Sequence, residues 1–207
     1  MNVPGVLARD PGVMQKIAAA RRLGKPVDGH APGLTGEALA AYAAAGISTD
    51  HESLTPEEAA EKIGRGLCVQ IRHGSAASGF EPFLPLVARA PHACMFCSDD
   101  KHPDDLLDGH INTLAAAAFR AGVPLPTILQ AASVSPVRHY RLPMGLLQIG
   151  DPADFVIVDD FGTFQPSRVF LRGTCMYDHG VNRLPAGVAS LVNRFAARPF
   201  TPAQLRV

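Results

Sequence analysis

Short apolar segments alternate with longer helical patterns along residues 10–132, and this alternation constrains the fold more than any other feature. The pattern predicts strands at residues 26–30, 47–50, 68–72 and 93–98, and helices at residues 10–23, 35–45, 55–66, 80–89, 103–122 and 127–132. Thr55, Pro56 and Glu58 mark a strong helix start, with the spacing of a capping box. Strands that alternate with helices in this way are typical of βαβ units and a parallel sheet. The predicted fold class is therefore α/β, and four such units make half of a (β/α)8 barrel.

The sequence changes character near Leu142. Beyond it, residues 154–158 and 168–171 are predicted strands, joined by turns that contain proline and glycine. The expected divisions are residues 1–142 for the half barrel, 143–182 for part of a small β domain, and 183–207 for an irregular linker. The chain is thus expected to hold one barrel portion and a smaller β element.

Composition excludes several classes of protein. Hydrophobic residues make up 47% of the 207 residues and charged residues 18%, as in an ordinary folded globular chain. Because the net charge is zero and the pI is about 7.1, there is no electrostatic basis for a nucleic acid or membrane partner. No apolar run approaches the ~18 residues that span a bilayer, and the first residues lack a signal-peptide pattern.

The chain has four cysteines, too few for a disulfide scaffold at this length. This usage fits a reducing, cytoplasmic location. Cys94 and Cys97 have the C-x-x-C spacing of zinc or redox motifs. Because their surroundings resemble a buried strand, we interpret them as strand cysteines instead.

A polar cluster directly follows each predicted strand. The clusters are Asp28-Gly29-His30, Asp50-His51-Glu52, Arg72-His73-Gly74-Ser75 and Ser98-Asp99-Asp100-Lys101-His102. In a parallel α/β barrel the carboxyl ends of the strands converge on the face that carries the active site. The imidazoles of His30 and His51 and the carboxylate of Asp99 are suitable ligands for a catalytic divalent metal and its water molecule. The clusters therefore predict a metal site at this face.

The same residues also have ordinary structural interpretations. A lone histidine at a strand end is more often a hydrogen-bonding loop residue than a ligand, and Asp99 or Asp100 could cap the following helix. His73 and His102 lie on the expected active face, beside the ligands rather than among them. The histidines interpreted as structural or surface residues are His92, His110, His139 and His179.

Longer motifs around these residues resemble those of bacterial adenine deaminases, a family of the amidohydrolase superfamily. In the order of barrel strands five to eight, the motifs are Val27-Asp28-Gly29-His30-Ala31-Pro32-Gly33-Leu34, Gly46-Ile47-Ser48-Thr49-Asp50-His51-Glu52, Ile71-Arg72-x-Gly74-Ser75-Ala76-Ala77 and Ser98-Asp99-Asp100-Lys101-His102-Pro103-x-Asp105-Leu106-Leu107, the last followed by Gly109-His110-Ile111. The pattern from Gly145 to Asp154 resembles the amidohydrolase return into the small β domain. The resemblance implies strands 5–8 of a (β/α)8 barrel with their helices, followed by a small β-strand element.

The resemblance also implies a reaction and a role for each residue. His30, His51 and Asp99 would bind a divalent metal, for which manganese or iron is favoured and zinc is suitable. Asp99 would take a proton from the attacking water, and Glu52 would give a proton to the purine ring. The residues that would face the substrate are Glu52, Arg72 and Ser75. The implied reaction converts adenine and water into hypoxanthine and ammonia, a step of purine salvage.

The family's metal site has further ligands that this sequence lacks. The family carries a His-x-His pair on its first barrel strand and a bridging glutamate, whereas residues 1–207 contain no His-x-His. We therefore expect the isolated chain to have negligible deaminase activity. Because a half barrel leaves sheet edges uncovered, we also expect a homo-oligomer or a complementing chain as partner. The family's C-terminal domain would follow the linker at residues 183–207.

Two other functions fit the same residues. The chain could belong to another nucleobase deaminase of the superfamily, which a panel of nucleobases would reveal. It could also be a non-catalytic half barrel that works only by pairing with another chain. A stable assembly that holds no metal would favour this last interpretation.

Overall fold

Three parallel strands form the sheet of the barrel portion in a computed structural model of the chain. The structure describes residues 1–75, 79–187, 194, 196 and 201. The strands are β1 (Thr49–Asp50), β2 (Cys68–Arg72) and β3 (Cys94–Cys97), in the order β1-β2-β3. In the parallel register, Thr49 pairs with Cys68, and Val69 pairs with Cys94. The α/β class predicted from the alternating pattern is confirmed.

The predicted strand at residues 26–30 is wrong as a continuous strand, because this segment makes only isolated bridges. Asp28 pairs with Thr49, and His30 pairs with Asn2, both in parallel orientation. The segment therefore changes its partner after a single residue, and Pro26 has no backbone N–H to donate to a ladder. It still lies beside β1 and brings His30 to the carboxyl end of the sheet.

Helices lie before, between and after the strands. Those that precede β2 are α1 (Val3–Leu7), α2 (Pro11–Arg22), α3 (Gly36–Ala44) and α4 (Pro56–Gly64). Between β2 and β3 lies α5 (Leu84–Arg89), with the 3-10 turns Glu81–Phe83 and Pro91–Ala93 on either side of it. After β3 come α6 (Pro103–Asp108), α7 (Ile111–Arg120), α8 (Leu125–Leu129), the π-helical turn Gln130–Val134 and α9 (Ser135–Tyr140).

Most helix starts follow the sequence signals, whereas some helix ends do not. Asp10 caps α2 by accepting a hydrogen bond from Val13 N at 2.9 Å, as the sequence indicated. The predicted helix at residues 103–122 is divided at Gly109 into α6 and α7. The predicted helix at residues 127–132 is part of a longer run, because the chain stays helical through the π turn and α9.

An antiparallel sheet follows the barrel portion, with strands in the order β4-β5-β6-β7. They are β4 (Phe155–Val158), β5 (Pro166–Leu171), β6 (Thr174–Asp178) and β7 (Val181–Asn182). The first two were expected from the sequence, and the last two were missed. The glycine of the pair Arg172-Gly173 was the available sequence signal for a hairpin before β6. In the structure these two residues form the turn, with φ values of 48° and 77°.

The divisions at residues 142 and 182 stay predictions. Of the expected linker, residues 188–193, 195, 197–200 and 202–207 lie outside the described residues. Residues 76–78, which include Ala76 and Ala77 of the third motif, also lie outside them. Within the described part of the chain, no helix is both long enough and apolar enough to cross a membrane.

The apolar core decides which side chains of β2 reach the site. Val69 and Ile71 are buried together with Phe80, Phe96 and Leu114 in one core cluster. Since side chains alternate across a strand, Cys68, Gln70 and Arg72 point to the opposite face of the sheet. Arg72, the last residue of β2, is therefore directed toward the polar residues at the carboxyl ends of the strands.

Candidate active site

The first part of the site is a group of three potential metal ligands, His30, His51 and Glu52. One ligand atom from each lies within 4.8 Å of those of the others, and the two imidazole centroids are 5.5 Å apart. Glu52 Oε2 lies 3.0 Å from His30 Nδ1. This oxygen is buried and accepts no hydrogen bond within the described residues. Two imidazoles and an unsatisfied carboxylate oxygen form a donor set that fits a divalent cation.

The second part of the site is an ion pair between Arg72 and Asp99. Arg72 Nη1 lies 2.5 Å from Asp99 Oδ2 and 3.2 Å from Glu52 Oε1, so the guanidinium links the two carboxylates. Asp99 Oδ1 is 4.0 Å from His51 Nε2. The site thus places an acidic side chain and a cation directly beside the group of potential ligands.

Sequence reasoning had grouped Asp99, rather than Glu52, with the two histidines. The structure brings His30 and His51 together as expected, but the closest carboxylate is that of Glu52. Asp99 instead pairs with Arg72 and stands at the edge of the group. Its assignment as a metal ligand stays a prediction, and Glu52 is a further candidate for that role.

The backbone at Asp99 is in a rare conformation that its neighbours maintain. Its φ value is 48°, in the left-handed region that residues other than glycine seldom adopt. The loop of residues 98–100 lies against Gly74, where a Cβ atom would be 2.9 Å from Ser98 O and 3.0 Å from Asp99 O. Strained residues of this kind occur often at functional sites, where the surrounding structure holds them.

Ser75, predicted to shape the substrate pocket, makes its contacts within the loops around the site. Its Oγ accepts a hydrogen bond from His102 N at 2.7 Å and donates one to Asp105. These contacts connect the end of β2 to the start of α6. A contact between Ser75 and a substrate therefore stays a prediction.

Two other histidines differ in their relation to the site. His73 Nδ1 is buried without a hydrogen-bond partner among the described residues. His110, interpreted from the sequence as structural or surface, has Nε2 2.9 Å from Ser98 Oγ, next to Asp99. No strand-end position marked His110, because it lies between α6 and α7 and reaches the site only through the fold.

Sequence reasoning also missed a charged group behind the site. Lys62 Nζ lies 2.8 Å from Asp50 Oδ2 and 2.5 Å from Glu58 Oε1, and Lys62 and Asp50 are fully buried. Burial by itself would raise the pKa of Asp50, but the hydrogen bond and the charge of Lys62 outweigh it and hold this pKa below its usual value. No local pattern marks this group, since Lys62 lies in a helix whose other charged residues suggest a solvated face.

The two strand cysteines differ in exposure, since Cys94 is buried and Cys97, which pairs with Arg72 in the sheet, is half-buried. Burial, the largest cause in each case, raises the pKa of the Cys94 and Cys97 thiols to about 12. They lie at the two ends of β3, as strand residues rather than in a turn. This agrees with their interpretation as buried strand cysteines.

A cavity of about 240 Å³ opens beside His51 and Arg72. Its apolar wall includes Pro82 and Phe83, and its polar wall includes Ser53. A second cavity of about 320 Å³ lies on the other side of the site, against His30 and the start of α1. Space for a small planar molecule is therefore present next to both the imidazoles and the guanidinium.

Comparison with known proteins agrees with this geometry. Residues 4–176 match the amidohydrolase family. The chain belongs to the amidohydrolase family. Membership of this family supports the barrel fold and implies a divalent metal, without fixing which metal.

The relatives that this amidohydrolase chain resembles include adenine deaminases. The chain is 47% identical over 207 residues to an adenine deaminase of Salinibacter ruber, a match that covers all of this chain and 38% of the relative. It is 48% identical over 181 residues to an adenine deaminase of Methanosarcina acetivorans, covering 87% of this chain and 33% of the relative. The resemblance seen in the motifs is thus confirmed by similarity along the chain.

Among solved structures, a β-aspartyl dipeptidase from Fervidobacterium islandicum AW-1 matches with a TM-score of 0.49 at 22% identity, over 61% of this chain and 35% of that chain. The chain spans about 38% of the length of the Salinibacter ruber relative. The residues described above therefore correspond to part of a longer enzyme in those relatives.

Proposed function

We propose that this amidohydrolase chain forms part of a metal-dependent deaminase that hydrolyses adenine to hypoxanthine and ammonia, as in purine salvage. The observation that carries this proposal is the position of the Arg72–Asp99 ion pair beside the group of His30, His51 and Glu52. The adenine deaminases among the relatives support the choice of substrate.

The chain's own residues divide the reaction between them. His30 and His51 would hold a divalent cation, which supplies hydroxide-like reactivity at neutral pH when it is bound. Asp99 accepts the proton of the attacking water and passes it to the amine that leaves as ammonia, and Arg72 keeps the Asp99 carboxylate in place through their 2.5 Å contact. Glu52 gives a proton to the purine ring, which gains one as it loses aromaticity.

The two oxygens of Glu52 face different neighbours. Oε2 lies 3.0 Å from the imidazole of His30, and Oε1 lies 3.2 Å from the guanidinium of Arg72. Glu52 therefore lies between the imidazole of His30 and the guanidinium of Arg72, where we place the purine ring. The third predicted substrate residue, Ser75, would act by holding the loop after β2 rather than by a direct contact.

We propose manganese or iron as the metal, with zinc as the alternative. Imidazole and carboxylate donors accept all three, and availability in the cell selects among them. Element analysis of the purified protein, before and after dialysis against a chelator, distinguishes these metals. Their loss should abolish turnover, and the favoured metal should restore it.

We further propose that the remaining ligands come from another part of the protein or from a complementing chain, and that the uncovered sheet edges of this chain pair with a second copy or with that complementing chain. On this proposal the chain of residues 1–207 alone has negligible activity. Size-exclusion chromatography with light scattering measures its state of assembly. We place the protein in the cytoplasm, on the basis of its low cysteine content.

The decisive experiment is a site chimera, in which residues 1–207 replace the matching segment of the Salinibacter ruber adenine deaminase. Adenine-dependent ammonia release is measured with added manganese for the chimera, for residues 1–207 alone, and for the chimera with Asp99→Asn. Turnover by the unmodified chimera, and by neither of the other two proteins, supports the proposal. Preference for another base in a nucleobase panel would favour a different deaminase, and a well-folded chimera without any turnover would contradict the proposal.

A further inference from the structure

A buried cluster of Lys62, Asp50, Glu58 and Ser53, here called the Lys62 cluster, lies beneath the two histidine-bearing segments. Lys62 is in α4, and its side chain is fully buried. Its Nζ donates to acceptors on both segments. The acceptors are Glu58 Oε1 at 2.5 Å, Ala31 O at 2.7 Å, Asp50 Oδ2 at 2.8 Å and Ser53 Oγ at 3.2 Å.

The two carboxylates of the cluster also accept hydrogen bonds from the backbone of both segments. The donors are Ala31 N (2.8 Å) and Glu52 N (3.1 Å) to Asp50, and Gly33 N (2.8 Å) and Leu54 N (2.9 Å) to Glu58. Each carboxylate thus joins a residue that follows His30 to one that follows His51. The cluster is a cross-link between the two ligand-bearing segments.

The sheet itself does not hold these segments together where the ligands lie. Asp28 pairs with Thr49, but the next bridge along that segment runs from His30 to Asn2, away from β1. Beyond this point, the described hydrogen bonds that join the backbone of the two segments pass through the Lys62 cluster, and Glu52 also contacts His30 directly. The cluster therefore contributes to the separation of the two imidazoles, 5.5 Å between centroids.

The charges of the cluster explain why the lysine matters most. A buried ammonium or carboxylate is costly unless it is paired and hydrogen-bonded, and here every partner is present. Without Lys62, the carboxylates of Asp50 and Glu58 would be buried together with no cation between them. Their repulsion would displace Asp50, which directly precedes His51 and accepts hydrogen bonds from the backbone of both segments, and would so disturb the cross-link between them.

We propose that Lys62 is a positioning residue for the metal site: it sets the spacing of His30 and His51 from the opposite side of the backbone. The functional meaning of this inference rests on the proposed metal-dependent activity. Its structural content, the placement of two imidazoles, does not require a metal. The two parts can therefore be tested separately.

The test compares Lys62→Met with the unmodified chain by NMR of isotope-labelled histidine in the absence of metal. The ring Cε1–Hε1 signals of His30 and His51 are assigned with His30→Gln and His51→Gln. The matched control is Ile128→Val, which alters a fully buried side chain of α8 in the core cluster that contains Val69 and Ile71. We expect both ring signals to move or broaden in Lys62→Met and to stay in place in the control.

A second readout is titration of the site chimera with Co²⁺, followed by its visible absorption. Changes in residues that support metal ligands weaken metal binding by about 10- to 100-fold, and we expect a loss of this size for Lys62→Met and none for Ile128→Val. If the unmodified site chimera binds no Co²⁺ while the histidine signals still respond to Lys62→Met, the proposed metal site fails and the positioning role of Lys62 stands.

A milder variant covers the case in which Lys62→Met does not fold. Glu58→Gln keeps the size of the side chain but replaces an acceptor by an NH2 group, so one of its hydrogen bonds to Gly33, Leu54 or Lys62 is lost. We expect smaller displacements of the same two ring signals. Unchanged His30 and His51 signals in a folded variant of either kind would overturn the proposal.

Discussion

The close approach of Gly29 to β1 leads to a quantitative prediction for Gly29→Ala. A Cβ atom at residue 29 would lie 2.1 Å from Thr49 O and 3.0 Å from Ile47 Cγ2. The first distance is 0.9 Å below the 3.0 Å that real Cβ atoms respect, and the blocking atom is backbone rather than a flexible side chain. Thr49 is fully buried and paired with Cys68, so β1 cannot move away freely.

The new methyl group must therefore displace the segment that carries His30. Overpacking of a buried position costs about 1–3 kcal/mol, and a backbone overlap of this size belongs at the upper end, about 3 kcal/mol. With a urea dependence of about 2 kcal/mol per molar, the unfolding midpoint should fall by about 1.5 M. Urea unfolding of the chain, followed by circular dichroism, measures this shift.

Gly64→Ala is the matched control, because nothing lies within 4 Å of a Cβ atom at that position near the end of α4. There alanine restricts the unfolded chain without a clash, so we expect the free energy of unfolding to rise by about 0.4–1 kcal/mol. The two substitutions are chemically the same and should act in opposite directions. An unchanged midpoint for Gly29→Ala would refute the reasoning about the approach to Thr49.

Three further predictions concern single side chains. In the site chimera, Asp99→Asn should lower kcat for ammonia release by about 10²- to 10⁴-fold, and an unaffected kcat would exclude Asp99 as proton acceptor. Burial raises the pKa of the Cys94 thiol from 9.0 to about 12, so iodoacetamide at pH 8 should leave it unmodified in the folded chain, as judged by mass spectrometry. Because the thiol binds its proton more tightly in the folded state, the free energy of unfolding should fall as the pH rises from 9.0 toward about 12, and a flat profile would contradict this. Tyr140→Phe removes the 2.9 Å hydrogen bond that Tyr140 donates to Asp28 and the one that it accepts from Gln70, and should cost at least about 1 kcal/mol in urea unfolding, whereas no loss would mean that these contacts do not stabilise the fold.

The sequence predicts those residues of the site that lie at the ends of strands. His51 and Arg72 each lie at the end of a strand whose apolar pattern is local, so their common face followed from the alternation alone. The same logic found His30, although its segment forms only isolated bridges. It could not assign His110 to the site, because His110 reaches Ser98 from a connection between two helices.

The capping box at α4 illustrates the limit of local signals. Thr55 Oγ1 does accept the hydrogen bond from Glu58 N, at 3.2 Å, as the sequence indicated. The Glu58 side chain, however, bonds to Leu54 N and to Lys62 rather than completing the box at Thr55. Lys62, four residues further along the helix, and the backbone of Leu54, just before the helix, both bind the Glu58 carboxylate. Only the fold decides which partners this carboxylate takes.

The sequence by itself determined the α/β class, the positions of β2 and β3, and the presence of imidazoles and carboxylates at the strand ends, because these depend on periodicity over a few residues. The tertiary structure alone decided which carboxylate joins the imidazoles. Arg72 draws Asp99 into an ion pair and leaves a buried oxygen of Glu52 facing His30. It also decided that Lys62 is buried, since the burial of a charge depends on partners from distant segments that no local pattern records.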